Sequence, residues 1–347
     1  MKILILGGTR FLGRHLAQQA LDAGHHVTLL HRGHSGPALF AQAEHRIADR
    51  DDEAALLGAL AAGAWDAAID TSAYFPRQVR AVATALAGRV GQYQLVSTIS
   101  VYAGFDGATT EGAARQTLGD AEAQTVVTGA NYGGLKALCE DAAWAGFGEQ
   151  TLVSRPGLLV GPQDPTGRFT WWTQRFLRAA AGDDNEVLAP GDPAGPVQFI
   201  DVRDAAAWML LQATAGGGGS FNLTGPAQPL SFGDFLSTAQ RTLAPASRLL
   251  WVDEAFLLEQ GVAPWSDLPV WLPARDSGLH RVDIGRALAS GLHCRPLGQT
   301  LADTAAWAAD APAPIAGAAG ILARAPAGLA PEREAALRAE WQTRRAA

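Results

Sequence analysis

The chain opens with a short apolar run that leads directly into glycines. Residues 3–6 show no alternation of polar and apolar side chains, which is typical of a strand covered on both faces of a parallel sheet. The glycine pair at 7–8 predicts a tight turn, and apolar residues then recur at helical spacing over 11–23. Residues 27–30 predict the next strand. This order predicts a βαβ unit, whose helix N-terminus can hold the pyrophosphate of a dinucleotide.

The predicted turn departs from the usual dinucleotide fingerprint. Arg10 stands in the place of the middle glycine, which normally lets the backbone approach a phosphate. Arg10 is therefore either a phosphate ligand itself or part of a glycine turn in an unrelated α/β protein. The candidate cofactor contacts from this turn are Gly7, Thr9, Arg10, Phe11, Leu12 and Gly13.

The second predicted strand ends in His31 and Arg32, where the choice between NAD and NADP is usually made. An acid there would accept hydrogen bonds from the adenosine ribose of NAD. Arginine can instead meet a 2′-phosphate with charge-assisted hydrogen bonds, so His31 and Arg32 favour NADP, with NAD as the alternative cofactor. A solvated loop arginine is the alternative interpretation.

Polar residues also follow the next two predicted strands. Residues 47–51 predict a third strand, and Asp49 and Arg50 at its end are candidate cofactor contacts. Asp49 can hold the adenine amino group, or it can cap the short helix that follows. The fourth predicted strand ends in Thr71 and Ser72, which are small enough for a nicotinamide ribose to lie close.

The strongest chemical signal is Tyr132 followed four residues later by Lys136. On a helix these residues lie one turn apart on the same face. A phenol has an ordinary pKa of about 10, and a neighbouring ammonium lowers that pKa. Tyr132 is therefore predicted to be a general acid or base, and Lys136 its partner and a ligand for the nicotinamide ribose. The alternative is a helix that carries an incidental tyrosine and lysine.

Composition and charge narrow the classes of partner. The chain has 347 residues, a formal net charge of −7 and two cysteines. This charge does not favour nucleic acid or an anionic membrane. No cysteine or histidine pattern has metal-ligand spacing, so no metal is expected. No apolar run reaches membrane-spanning length or resembles a signal peptide. We expect a cytoplasmic enzyme with a small-molecule substrate.

Taken together, the motifs resemble the extended short-chain dehydrogenase/reductases, the NAD-dependent epimerase/dehydratase family. The resemblance covers residues 2–307 and rests on the segments 7–13, 97–102, 132–136, 154–162, 199–204 and 221–225. It implies an α/β fold, a doubly wound Rossmann parallel sheet with a smaller interleaved C-terminal substrate domain. It also implies a homodimer.

The resemblance implies roles for particular residues. Thr98 would be the hydroxyl that orients the substrate, with Ser100 as a substitute and a candidate substrate contact. Tyr132 would donate or accept the proton, with Lys136 as its partner. Pro156, after the sixth predicted strand, would contact the cofactor.

Departures from the family pattern narrow the chemistry. Ile99 and Ser100 stand where dehydratases carry an Asp-Glu pair, which argues against dehydration. The sequence reads Pro156-Gly157 where nucleotide-sugar epimerases often place an asparagine. The arginine in the glycine turn resembles an atypical branch that includes reductases and RNA-binding relatives. The sequence therefore predicts an NADP-dependent reductase. A nucleotide-sugar epimerase is the first alternative, and a non-catalytic NADP-sensing or RNA-binding relative is the second.

The resemblance also divides the chain. Residues 1–162 with 196–225 are expected to form the NAD(P)-binding Rossmann domain. Residues 163–195 with 226–310 are expected to form the substrate-binding domain. Residues 311–347 predict an Ala/Pro-rich linker followed by a C-terminal helix.

Three residues beyond the sixth predicted strand are candidate substrate contacts, namely Arg168, Trp171 and Trp172. Neighbouring tryptophans on a helix point in different directions, so at least one of them is expected to pack in the core. The Trp- and Pro-rich segment 262–273 predicts either a substrate lid or a buried structural loop.

Overall fold

The computed structural model describes residues 1–36, 38–119, 124–182, 184–310 and 327–346. These residues form two compact units. The first unit comprises Met1–Leu159, Val202–Gly225 and Asp283–His293, and the second comprises the described residues of Val160–Asp201, Pro226–Val282 and Cys294–Ala347. Most of the predicted Ala/Pro-rich linker falls on 311–326, outside the described residues.

The secondary structure alternates strands and helices through the first unit. The strands are β1 (Lys2–Leu6), β2 (His26–His31), β3 (Glu44–Ile47), β4 (Trp65–Asp70), β5 (Val90–Val96), β6 (Thr151–Pro156), β7 (Leu159–Val160), β8 (Glu186–Pro190), β9 (Pro196–Val197), β10 (Ile200–Asp201), β11 (Gly219–Leu223), β12 (Leu230–Ser231) and β13 (Arg248–Val252). The helices are α1 (Phe11–Asp22), α2 (Glu53–Ala59), α3 (Pro76–Leu86), α4 (Tyr132–Phe147), α5 (Arg168–Ala180), α6 (Val202–Ala215), α7 (Phe232–Leu243), α8 (Glu254–Glu259), α9 (Gly285–Ala289), α10 (Leu297–Asp310) and α11 (Pro331–Ala346).

The described residues of the first unit form a seven-stranded parallel sheet in the order β11-β6-β5-β4-β1-β2-β3. The predicted doubly wound α/β fold is confirmed. Strand order reverses beside β1, because β2 lies on one side of it and β4 on the other. In such sheets ligands bind outside the carboxyl ends of the strands at this reversal.

Helices cover both faces of this sheet, which explains the continuous apolar run of β1. Helix α1 packs against α6, and α3 packs against α4. Leu4 and Leu6 of β1 join a buried cluster with Val79 and Val82 of α3 and Ala143 of α4. Each fully buried leucine or valine contributes about 1.5–3 kcal/mol relative to an exposed one.

The third strand lies earlier in the chain than predicted. The sequence predicts a strand over 47–51, whereas β3 is Glu44–Ile47. The acids that follow it form the turn and the helix cap. The Asp49 carboxylate accepts the Asp51 N–H at 3.0 Å, and Asp52 is the N-cap of α2. Short acidic side chains compete with a strand for backbone hydrogen bonds, which ends β3 before them.

The second unit has an aromatic core. Phe169 and Trp172 of α5 pack against Phe235 of α7, with ring centroids 5.6 and 6.1 Å from it. The C-terminal helix α11 belongs to this unit, and its buried Glu334 pairs with the buried Arg175 of α5 at 2.6 Å.

Candidate active site

The turn between β1 and α1 has the backbone geometry of a phosphate-binding turn. Gly7 and Gly8 have φ values of +119° and +60°, in the region that favours glycine. A Cβ added at Gly7 would lie 2.1 Å from Thr71 Oγ1, and one added at Gly13 would lie 2.6 Å from the Gly8 nitrogen. Helix α1 therefore starts directly against the turn, as close packing in a dinucleotide fold requires.

The N-terminus of α1 fits the pyrophosphate of a dinucleotide. Its N-cap residue Arg10 makes no side-chain capping hydrogen bond, and the first turn contains no acid. The first amides of a helix lack partners within the helix, and its dipole favours an anion there. Arg10 is exposed beside these amides, so the residue that departs from the fingerprint adds positive charge.

His31, at the end of β2, is held by hydrogen bonds to both of its ring nitrogens. It is buried, its Nε2 lies 2.8 Å from Nδ1 of His45, and its Nδ1 accepts the Gly33 N–H at 3.0 Å. Both ring nitrogens therefore have partners within the protein, and a cofactor contact for His31 stays a prediction. Arg32 is exposed next to it and makes no hydrogen bond or ion pair to any described residue.

Arg50 is bonded to two residues at the end of β4. Its guanidinium donates two hydrogen bonds to the carboxylate of the fully buried Asp70, at 2.7 and 2.8 Å, and a third to Ser72 Oγ at 2.8 Å. Arg50 therefore neutralises a buried acid at the end of β4, and a cofactor contact for Arg50 stays a prediction. Asp49 is exposed, and Asp52, rather than Asp49, caps α2.

The two small hydroxyl residues after β4 hold the end of β1. Thr71 and Ser72 both donate to the Leu6 carbonyl, at 2.9 and 3.3 Å. These two hydrogen bonds hold the start of the glycine turn against the end of β4. Because both side chains are small, they leave space at the carboxyl end of the strand. A role beside a nicotinamide ribose stays a prediction for both, as does a cofactor contact for Pro156, which lies buried at the end of β6.

A close approach of α4 brings Thr98 and Tyr132 to the same end of the sheet. Thr98 follows β5, and its Oγ1 accepts the Ser100 N–H at 3.1 Å in a short 3-10 turn. Tyr132 is the first residue of α4, and the next residue is Gly133. A Cβ at Gly133 would lie 2.1 Å from the Ser100 carbonyl oxygen, so only glycine lets the helix contact this turn.

Lys136 is buried one turn into α4. Its ammonium donates to the carbonyl oxygens of Ala73 at 2.6 Å and Val96 at 2.7 Å, at the ends of β4 and β5. An ammonium has three N–H donors, so a third remains for a ligand such as a ribose hydroxyl. Burial lowers the pKa of Lys136 from its ordinary value, with nearby acidic groups acting in the opposite direction.

Tyr74 was not predicted as a site residue, although it lies beside both Tyr132 and Lys136. Its ring centroid is 6.4 Å from that of Tyr132 and 5.6 Å from Lys136 Nζ. Burial raises the pKa of Tyr74, so it remains a neutral phenol. Its position two residues after Ser72, at a strand end, was the only signal in the sequence.

A buried network of hydrogen bonds links α4 to β6 and to the end of β5. The Glu140 carboxylate accepts two hydrogen bonds from Arg155, at 2.9 and 2.7 Å, and one from Ser97 Oγ at 2.5 Å. Ser97 precedes Thr98, so this network ties the strand end that carries Thr98 to the helix that carries Tyr132.

The predicted substrate contacts Arg168, Trp171 and Trp172 lie in the second unit. Trp171 and Trp172 are both buried, and their indole N–H groups donate to the carbonyls of Leu329 and Pro269. Both tryptophans therefore pack within the unit, where at least one was expected to do so, and a substrate contact for either stays a prediction. The Arg168 guanidinium lies 5.6 Å from the ring centroid of Trp265, and a substrate role for Arg168 stays a prediction.

The described residues offer neither a metal site nor a membrane-spanning helix. They contain no cluster of three or more acidic, histidine or cysteine side chains able to hold a metal ion. No helix among them is long and apolar enough to cross a membrane.

Comparison with known proteins identifies a family. A sequence model of the NAD dependent epimerase/dehydratase family matches residues 3–224. A comparison with curated proteins gave no match.

Solved structures resemble the fold at low sequence identity. They include the UDP-glucose 4-epimerase of Thermotoga maritima with UDP-glucose, at 16% identity and a TM-score of 0.63, covering 89% of this chain and 99% of that chain. Another is the UDP-glucuronic acid 4-epimerase of Bacillus cereus with NAD, at 16% identity and a TM-score of 0.60, covering 88% and 98%. A further UDP-glucose 4-epimerase has 15% identity and a TM-score of 0.65, covering 91% and 99%.

Proposed function

Since this chain belongs to the NAD-dependent epimerase/dehydratase family, we propose that it is an NAD(P)-dependent epimerase of a nucleotide-linked sugar. This proposal replaces the NADP-dependent reductase predicted from the sequence. The observation that carries it is the buried ammonium of Lys136 at the carboxyl edge of the sheet, which is held by two carbonyls and lies 5.6 Å from the centroid of the Tyr74 ring, itself 6.4 Å from that of Tyr132. The family and the sugar-nucleotide epimerases that share the fold support the choice of epimerase.

The chain's own residues supply binding and proton transfer. Gly7, Gly13 and the N-terminus of α1 would hold the cofactor pyrophosphate, and the nicotinamide, when bound, would supply reversible hydride acceptance at the substrate carbinol carbon. Tyr132 accepts the hydroxyl proton as that carbon becomes a ketone and donates it back. Thr98 holds the reacting oxygen, and the charge on Lys136 favours the ionised phenol.

We also propose a preference for NADP over NAD. Arg32 at the end of β2 is exposed and has no partner among the described residues, while no acid follows β2 directly to accept from the ribose of NAD. A guanidinium at this place suits a 2′-phosphate.

The test is turnover of sugar nucleotides without net redox change. The chain is incubated with UDP-glucose or UDP-glucuronic acid and a substoichiometric amount of NADP or NAD, and proton NMR follows the anomeric signals. An epimerase produces the signals of the inverted sugar until a constant ratio is reached, while the reduced-nicotinamide absorbance stays near its initial value.

A reductase is the second candidate, favoured by the exposed Arg10 and Arg32, because enzymes that release their cofactor at each turnover often use NADP. It predicts stoichiometric loss of reduced-nicotinamide absorbance with a carbonyl substrate and no inverted sugar. A homodimer and a cytoplasmic location stay predictions of the sequence.

A further inference from the structure

Tyr74 is held in a fixed position by the backbone around it. Its N–H donates to Gln78 Oε1 at 2.9 Å, and Gln78 Nε2 donates in turn to Asp51 at 2.7 Å. The carbonyl of the preceding residue, Ala73, accepts the Lys136 ammonium at 2.6 Å. The segment that carries Tyr74 is therefore bonded to the catalytic lysine on one side and to α3 on the other.

The Tyr74 ring contacts both groups of the proton-transfer pair. Lys136 Nζ lies 5.6 Å from its centroid, within the range of a cation–π interaction, which is stronger when the cation is buried. The Tyr132 ring lies 6.4 Å away and is tilted by 41°, within the range of favourable aromatic pairs. Because burial keeps Tyr74 neutral, it contributes a ring face and no competing charge.

We propose that Tyr74 is a positioning residue for proton transfer, whose ring covers the Lys136 ammonium and holds it next to the Tyr132 phenol. This inference rests on the role proposed above for Tyr132. Two hydrogen bonds fix the ammonium from the strand ends, and the ring closes another side of it. Without the ring, water reaches the ammonium, its charge is screened, and Tyr132 loses part of the field that favours its ionised form.

The test measures the ionisation of Tyr132 directly in the full-length chain, with no cofactor and no substrate. The sequence contains four tyrosines, so ring-labelled tyrosine followed by carbon NMR against pH resolves each phenol, and Tyr132→Phe assigns the Tyr132 signal. In Tyr74→Leu, the midpoint of Tyr132 ionisation is expected to rise by about half a pH unit to one unit. Tyr74→Phe keeps the ring and is expected to restore the wild-type midpoint.

A matched control removes a ring one residue further along the same segment. Phe75 is buried, and its ring lies under the Arg77 guanidinium at 4.1 Å, so Phe75→Leu should leave the Tyr132 midpoint unchanged. Thermal unfolding of each variant verifies that it folds. If Tyr74→Leu does not fold, Tyr74→Met replaces it with the same expected rise.

The proposal is overturned by an unchanged Tyr132 midpoint in the folded Tyr74→Leu or Tyr74→Met chain. It is also overturned if Tyr74→Phe or Phe75→Leu moves the midpoint as far as the ring-deleted variant. Since this titration needs no turnover, its result is separate from that of the epimerase assay. In an active enzyme, the same variant should shift the acid limb of the kcat profile upward by a similar amount and leave KM nearly unchanged.

Discussion

Some basic side chains around the glycine turn pair with other groups of the protein, whereas others are available to a ligand. Arg50 neutralises Asp70, and the Lys136 ammonium is bonded to two carbonyls. Arg10 and Arg32 are exposed, and their side chains make no hydrogen bond or ion pair to any described residue. The proposed preference for NADP therefore rests on these two arginines.

Arg32→Ala should weaken NADP binding and leave NAD binding nearly unchanged. Loss of a charge-assisted phosphate contact costs about 1.5–3 kcal/mol, or roughly ten- to a hundredfold in Kd. Fluorescence titration with each cofactor measures the change. Arg241→Ala, which removes an exposed arginine of α7, is the control and should bind both cofactors as before. An unchanged ratio of the NADP and NAD affinities in Arg32→Ala would show that the preference lies elsewhere.

His280 links the stability of the second unit to pH. Its Nδ1 accepts the Gln198 N–H at 3.1 Å, which requires the neutral ring, and its Nε2–H therefore donates to the Val270 carbonyl at 3.0 Å. Burial lowers the pKa of His280 to about 4 from 6.5. The unfolded chain binds this proton first as pH falls, so the stabilisation is complete above pH 6.5 and is lost progressively down to about pH 4.

The expected loss from His280 over this pH range is about 3 kcal/mol in the free energy of unfolding. Urea unfolding at several pH values measures it. His280→Asn should be less stable than wild type at neutral pH but should show a correspondingly smaller loss on acidification. Equal pH dependence in the two proteins would rule out the assignment to His280.

At the scale of single residues, local spacing indicates candidate site residues, whereas pairing between residues distant in sequence leaves no local signal. Tyr132 and Lys136 were recognisable because residues four apart share a helix face. The Arg50–Asp70 pair joins the turn after β3 to the end of β4, and the His31–His45 pair joins β2 to β3. No periodicity marks such pairs, so both His31 and Arg50 were interpreted as cofactor ligands.

At the scale of elements, the contact between α4 and the turn after β5 assembles the reactive groups. Gly133→Ala would place a methyl group 2.1 Å from the Ser100 carbonyl oxygen. Relieving this overlap must displace the first turn of α4, and with it Tyr132. We expect a loss of about 1–3 kcal/mol in unfolding free energy, as for other overpacked sites, and at least a tenfold fall in turnover.

Gly58→Ala is the matched control for Gly133→Ala. Gly58 is also helical, on α2, but a Cβ there meets nothing within 4 Å. This variant should be stabilised by up to about 1 kcal/mol through helix propensity and keep its activity. Urea unfolding and a turnover assay compare the two, and equal stability and activity of both variants would contradict the contact described for α4.

Elements with a clear apolar pattern were predicted close to their positions, as β1, α1 and β4 illustrate. β3 was misplaced because its polar sequence, EHRI, carries no such pattern and the acids after it resemble a strand end. Two-residue strands such as β9 and β12 depend on each other for pairing and have no local signal.

At the scale of the whole chain, alternating strands and helices made the parallel sheet predictable. The sequence did not predict that a segment late in the chain packs within the first unit. Asp283–His293 belongs to the first unit, where the Asn222 amide donates to the Asp283 carbonyl at 2.9 Å. The domain boundaries expected from the sequence placed these residues in the substrate domain. A single hydrogen-bonded asparagine far away in sequence gives no signal of such a return.

We propose that the protein inverts a carbinol carbon of a nucleotide-linked sugar through proton exchange at Tyr132. The anomeric NMR assay of UDP-sugar turnover, run on wild type and Tyr132→Phe with cofactor affinity measured in parallel, tests this proposal. Wild type should convert the substrate to the inverted sugar, and the variant should lose at least a hundredfold in rate with nearly unchanged cofactor affinity. Equal rates in the two proteins would rule out the proposed role of Tyr132.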